Sequence, residues 1–221
     1  MKILIIGLGS IGQRHLRILR KIFKKKLTIY TFHTSKNNLV INDNFNTKKV
    51  KSLINYYNIK KIFLKDVERL NIKYAFICNP PNIHLKTAFQ LIKFDCNLLI
   101  EKPVSTENEL SKIKKLIAAS RKRRLTITVG YQFRYHPATK LIKDIIQKNS
   151  LGKILNGYFH YGEYTGNTKK YEKFSDSIYV KRKNGGGSLL SFSHHIDLAH
   201  YLFGDLKNQY SFLKNSKNYK I

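Results

Sequence analysis

Acidic residues are scarce in this chain. Its 221 residues hold 13 Asp and Glu against 42 Lys and Arg, a formal net charge of +29. Taken alone, that excess points to an anionic partner such as a nucleic acid or a membrane surface. Two features favour a plainer, compositional reading over a nucleic-acid surface. The lysines are spread through the chain, and groups such as Lys24-Lys25-Lys26 and Arg121-Lys122-Arg123-Arg124 fall where helices should end, a place that favours cations. Cysteine is nearly absent too. Cys78 and Cys96 lie in apolar segments, with neither metal-ligand spacing nor a disulfide framework, so no metal site is expected and a reducing cytosol fits. No apolar run is long enough to cross a membrane. The apolar start is too short for a secretory leader, lacks a small-residue cleavage site and passes directly into glycines, so a cytoplasmic protein is expected. At 42% hydrophobic residues, the chain still has the material for a real core in one large or two small domains.

The stretch that organises the chain is its opening. Lys2-Ile3-Leu4-Ile5-Ile6 suits a strand buried on both faces, and glycines follow at 7, 9 and 12. Ile11, Ile18, Leu19 and Ile22 then recur at helical spacing, so a helix starts near Ser10. Strand, tight glycine turn and helix N-terminus are the context a dinucleotide fingerprint requires. Gly7 makes the sharp turn, Gly9 lets the backbone approach a pyrophosphate, and Gly12 lets helix and strand pack closely. The amides at Ser10, Ile11 and Gly12 then face the phosphates. An ordinary glycine-rich turn is the alternative, and the order of elements disfavours it. A second strand, Leu27 to Phe32, runs into His33-Thr34-Ser35-Lys36. An NAD site wants an acid there. Hydroxyls and a cation suit a 2′-phosphate better, so of NAD and NADP the sequence leans to NADP.

Strands and helices then alternate. Residues 37–47 read as a polar loop, 48–57 as a helix and Lys61-Ile62-Phe63-Leu64 as a short strand. Tyr74 to Cys78 is a clearer strand ending in Asn79-Pro80-Pro81-Asn82, with Asn82 capping a helix over 82–94. Asn97 to Ile100 is another, ending in Glu101-Lys102-Pro103, before a helix over 106–122 with Thr106 as N-cap and Glu109 three residues on. Leu125 to Val129 closes the series. This alternation means an α/β, Rossmann-type doubly wound parallel sheet over residues 1–130. Functional residues then belong at the carboxyl ends of strands. Past Gly130 the pattern changes to a helix near 137–148, an alternating antiparallel strand from Ile154 to Tyr164, a polar loop over 165–184 and an amphipathic helix over 188–203. Residues 131–221 thus form a second, α+β domain.

Five motifs in order resemble the Gfo/Idh/MocA oxidoreductases. They are Gly7-Leu8-Gly9-Ser10-Ile11-Gly12, Asn79-Pro80-Pro81-Asn82-Ile83-His84, Glu101-Lys102-Pro103, Tyr131-Gln132-Phe133-Arg134, and Gly185-Gly186-Gly187 running through Ser191 and His194-His195 to Asp197. The resemblance covers essentially the whole chain. It implies an NAD(P)-dependent dehydrogenase or reductase acting by hydride transfer on a sugar, sugar nucleotide or cyclitol. It implies Lys102 as the main proton-handling residue and His194 as the second catalytic position. It places Asn79, Pro80, His84, Glu101, Lys102 and Arg134 with Gly7, Gly9, Ser10, Ile11, Gly12, His33, Thr34 and Ser35 around the cofactor, and Tyr131 along the cleft. The chemistry is consistent, because a hydride leaves a carbinol carbon only as its hydroxyl proton leaves.

Two departures from the family pattern stand out. Ser191 occupies the position where the family usually carries an Asp, and serine cannot supply the charge that stabilises an imidazolium; Asp197, one helical turn beyond His194, is a substitute to test. The second domain is also short for the family, so it is expected to be incomplete, with strand edges and an apolar face that a homo-oligomer would cover. Two alternatives to the enzyme remain: a catalytically impaired or truncated nucleotide-binding descendant, and, on charge alone, a nucleic-acid-binding protein.

Overall fold

The computed structural model describes residues 1–33, 38–162, 171–172, 177, 184–207 and 210–212. Strand β1 (Lys2–Ile6) leads through the glycine turn into α1 (Ser10–Phe23), and β2 (Thr28–Phe32) returns beside β1. The chain continues through β3 (Leu39–Ile41), β4 (Thr47–Lys49), α2 (Leu53–Tyr56), β5 (Lys60–Lys61) and α3 (Asp66–Arg69). Strands β6 (Tyr74–Ile77), β7 (Asn97–Ile100) and β8 (Ile127–Val129) then alternate with α4 (His84–Ile92) and α5 (Leu110–Lys122). Helices α6 (Pro137–Gln147), α7 (Ser188–Ser191) and α8 (Ser193–Phe203) follow.

Six strands pair in parallel in the order β5-β2-β1-β6-β7-β8. The alternation of side chains along β1 explains why both faces are covered. Leu4 and Ile6 face one apolar cluster, with Ile77, Leu91, Ile100 and Leu116. Ile3 and Ile5 face the other, with Leu16, Leu19, Ile29 and Leu53. The strand order reverses between β1 and β6, and such a switch point opens a crevice at the strand carboxyl ends. Gly7, Asn79 and Lys102 lie just past the ends of β1, β6 and β7, so all three stand on its rim.

Several elements differ from expectation. Residues 39–49 form an antiparallel hairpin rather than loop and helix, because Val40 packs into the cluster that α1 covers and Ile41 is buried as well. The helix expected over 48–57 shrinks to α2, capped by Ser52 through its Oγ on the Asn55 amide. A 3-10 turn, Pro81–Ile83, precedes α4, and Asn82 does not cap it. Helix α5 begins at Leu110 rather than Thr106, since the Glu109 carboxylate is engaged by Ser105 and Lys112. Residues 154–162 contain no strand, while 163–164 lie outside the described residues. Alternation needs a neighbouring strand to pair with; here Leu155 and Tyr158 are each 87% exposed.

The helix expected over 188–203 is broken at Phe192. The His195 amide bonds the Phe192 carbonyl rather than that of Ser191. The Ser191 carbonyl is thereby released from the helical ladder and accepts a hydrogen bond from Lys102 Nζ at 2.6 Å.

Candidate active site

At the glycine turn, Gly7 has φ +88°, and a Cβ there would meet the Cys78 carbonyl oxygen at 2.7 Å. A Cβ on Gly12 would stand 2.0 Å from the Gly7 oxygen, so α1 touches the turn backbone directly. At Gly9, by contrast, a Cβ would enter open space. Gly9 is the N-cap of α1, with no side-chain cap and no acid in the first turn. The helix therefore presents its first amides and its positive end past a glycine with no side chain to cover them, a fitting cradle for a diphosphate. Ile11 packs into the core on the α1 face. Gln13, not foreseen from sequence, is buried beneath the turn: its amide bonds the Leu8 and Leu39 carbonyls and accepts from the Ile41 amide and Tyr57. The Tyr171 phenol hydrogen bonds Ser10, bringing the second half of the chain to the helix mouth.

His33 closes the far side, past β2. Its Nδ1 accepts from the Leu8 amide at 3.2 Å, which leaves the proton on Nε2. That Nε2 is buried and, among the described residues, has no partner. Burial lowers the imidazole from its ordinary range and the Lys61 ammonium lowers it further, so the ring is a neutral donor. Thr34 and Ser35 lie outside the described residues.

On the near side, Asn79 bonds Thr87 through its amide, while its Oδ1 is buried and unpartnered; Pro80 is exposed on the rim. His84 is 1% exposed, with ring nitrogens 2.8 Å from the Pro103 and Asn79 carbonyls. It ties the β6 and β7 ends together from beneath the rim. Burial lowers its imidazole from the ordinary range, against pulls from both carbonyls.

Lys102 sits at the centre. Burial draws its amine below the usual lysine range, and the Glu101 carboxylate pulls the other way. Glu101 itself is bonded by His15 Nε2 at 2.7 Å. His194 lies beside Lys102, its ring edge-on to Tyr131 at 5.7 Å and tilted on Phe133 at 5.3 Å. Burial, then the Lys102 charge, hold the His194 imidazole down at about 4, against Glu101 and Asp197. Its Nδ1 and the hydroxyls of Ser191 and Ser193 are buried and lack partners. Asp197 does not substitute for the missing acid: Arg134 takes its carboxylate through Nε and Nη2 at 2.6–3.1 Å. Arg134, expected near the cofactor, is thus engaged in pinning α8 to the 132–135 turn. His195 packs on Tyr161 at 4.4 Å and His200 faces the Gly204 carbonyl, away from this group.

The glycine cradle, the switch-point crevice and a partly dry lysine define an NAD-binding Rossmann oxidoreductase. Residues 1–131 match the family model described as "Oxidoreductase family, NAD-binding Rossmann fold", and residues 139–220 match the GFO/IDH/MocA C-terminal domain. The chain belongs to the Gfo/Idh/MocA oxidoreductase family. Among curated relatives, it is 27% identical over 206 residues to glucose-6-phosphate 3-dehydrogenase of Bacillus subtilis, covering 91% of this chain and 53% of that one. Among solved structures, the WlbA dehydrogenase of Chromobacterium violaceum, in complex with NADH and UDP-GlcNAcA, superposes with TM-score 0.67 at 18% identity, over 92% of this chain and 55% of that one. The biliverdin reductase of Synechocystis sp. PCC 6803, in complex with biliverdin and NADP+, gives 0.66 at 14% identity, over 94% and 59%. The chain spans about half the length of these relatives. No described helix is long and apolar enough to cross a membrane.

Proposed function

We propose that this chain is an NAD(P)-dependent oxidoreductase that transfers a hydride to or from a carbinol carbon of a sugar, sugar nucleotide or cyclitol, with Lys102 as general acid/base. The carrying observation is Lys102 itself: its amine is fixed on the Ser191 carbonyl at the rim of the crevice into which the glycine turn opens. The dinucleotide, when bound, supplies the hydride acceptor or donor. Gly9, Ser10, Ile11 and Gly12 hold its diphosphate by their amides, and Asn79 offers a free Oδ1 beside it. In the oxidative direction, neutral Lys102 accepts the hydroxyl proton as the C–H bond to the same carbon breaks; in reduction the ammonium returns it. Burial favours that neutral amine. His194, neutral at physiological pH, assists as a hydrogen-bonding group and not as an acid. NADP is the favoured cofactor, because the end of β2 offers the His33 Nε2 donor with Lys61 nearby, where an NAD site would place a carboxylate. The sugar-type substrate is supported by the Bacillus subtilis relative, a glucose-6-phosphate 3-dehydrogenase, and by the Chromobacterium violaceum dehydrogenase, which holds UDP-GlcNAcA.

The test is a cofactor titration followed by a panel of sugar nucleotides and sugar phosphates. Lys102→Ala is expected to lower turnover by about a thousandfold while NADPH affinity stays within about threefold of the parent. Unchanged turnover removes Lys102 from the mechanism. One observation favours a non-catalytic, nucleotide-binding descendant: Ser191 carries no charge and Asp197 is tied to Arg134. Cofactor reduction by any member of the panel rules that out.

A further inference from the structure

We propose that His15, on the helix that opens at the glycine turn, is a positioning residue for Lys102 and acts through the Glu101 carboxylate. The proposal deepens the function proposed above and rests on Lys102 being its acid/base.

The geometry is a short chain of contacts. His15 Nε2 lies 2.7 Å from Glu101 Oε1, with the two side chains 19% and 14% exposed. The His15 ring is steadied by Phe76, centroid to centroid 5.2 Å. Gly130 leaves room for the carboxylate: a Cβ there would stand 3.1–3.2 Å from its atoms. Glu101 is the sequence neighbour of Lys102, yet the lysine donates to the Ser191 carbonyl instead. A carboxylate free to turn would take the adjacent ammonium as a partner, hold its proton and pull Nζ off the crevice. His15 prevents this by engaging Oε1. Glu101 then acts on Lys102 as a fixed charge rather than as a bonded partner. Among the described residues, Glu101 is the charge that acts on Lys102 and Lys102 in turn acts on His194; Glu101 also acts on Cys78, His84 and His194.

The chain without cofactor supplies a readout that needs no turnover. Acetic anhydride acylates only the neutral amine, so the pH dependence of Lys102 acetylation, read by peptide mass spectrometry, gives its midpoint. His15→Ala frees or uncovers the Glu101 charge and is expected to raise the midpoint by on the order of one pH unit. Glu101→Gln removes that charge and is expected to lower it. In the double variant His15→Ala/Glu101→Gln the midpoint should equal that of Glu101→Gln alone, because His15 has no other route to the lysine. His15→Gln, whose amide can still donate, should stay nearer the parent than His15→Ala. If His15→Ala does not fold, Gly130→Ala carries the test, moving the midpoint by displacing the carboxylate. An unmoved midpoint in the folded His15 or Gly130 alanine variant overturns the proposal. So does a His15→Ala shift that persists when Glu101 is already Gln. Under turnover, the Lys102 limb of the pH–rate profile should move by the same amount. A midpoint that moves in a chain that reduces no cofactor leaves the coupling standing and rejects the enzymatic function instead.

Discussion

Three glycines of one turn carry three different physical demands, and only one of them concerns the ligand. At Gly9 φ is −69°, which any residue adopts, and a Cβ would meet nothing within 4 Å. Gly9→Ala should therefore leave the melting temperature within about a degree, the ordinary outcome for a surface change. The added methyl occupies the space through which a diphosphate reaches the helix amides. NADPH affinity in a fluorescence titration should fall at least about tenfold, or about 1.4 kcal/mol. A variant that binds as tightly as the parent would show that the open side of the turn is not where the cofactor lies. Motif spacing made Gly7, Gly9 and Gly12 legible in the sequence, but not this division of labour among them. Lys102 was singled out by the family resemblance of Glu101-Lys102-Pro103, and its place after an apolar strand agreed with that. Motif spacing could not reveal His15, because the Glu101 it meets is 86 residues away and His15 does not stand out on its own helix. Ser191 drew notice as a missing acid, yet it is the backbone carbonyl of that residue that serves, and a carbonyl leaves no mark in a sequence.

Between elements, the same turn sets how closely α1 lies on β1. The 2.0 Å that would separate a Gly12 Cβ from the Gly7 oxygen cannot be relieved by a rotamer change, because both partners are backbone. Gly12→Ala must lift the helix or open the turn, and Leu16 and Leu19 leave the core with it. A loss of at least about 3 kcal/mol is expected in denaturant unfolding, in contrast to the neutral effect at Gly9. A Gly12→Ala chain as stable as the parent would mean that strand and helix are not packed through this glycine. Apart from β5, which pairs at Lys60–Lys61 and not along the expected Lys61–Leu64, the strands of the parallel sheet were readable because each is an apolar run ending in Gly, Pro or a polar cluster. The β3–β4 hairpin was not, since Thr47-Lys48-Lys49 has no apolar pattern and forms a strand only because Leu39-Val40-Ile41 supplies the partner. Alternation from Ile154 onward misled for the converse reason: it describes a face, and no described neighbour pairs with it. The break at Phe192 was equally hidden, since the carbonyl it frees is met by Lys102, a residue past the end of β7 and 89 positions away in the chain.

At the scale of the whole molecule, charge and burial combine to make stability depend on pH in a particular window. His194, His84 and His33 are all held below the ordinary imidazole range, burial being the leading cause in each. A base whose folded value is lowered binds its proton more readily once unfolded, so stability rises with pH across the gap. For His194 the gap runs from the ordinary 6.5 down to about 4. Its contribution is complete above 6.5 and is lost as the pH falls toward 4. Between pH 7 and pH 5 that amounts to at most about 2 kcal/mol, or several degrees of melting temperature in a chain of this size. Asp43, Asp66 and Glu109 are instead lowered by their basic or amide partners, so they lose stability only below their ordinary values of 3.8 to 4.5, outside this window. Acid also adds positive charge to a chain already at +29, and that repulsion is screened by salt whereas the cost of a buried imidazolium is not. Melting curves at pH 7 and pH 5, in low salt and in 0.5 M salt (roughly a 4 Å screening length), separate the two contributions. The part that survives salt should shrink in His194→Gln, whose side chain is neutral throughout. An identical salt-resistant slope in that variant would show that His194 is not held neutral beside Lys102, and its place as an uncharged partner in the proposed proton transfer would have to be given up.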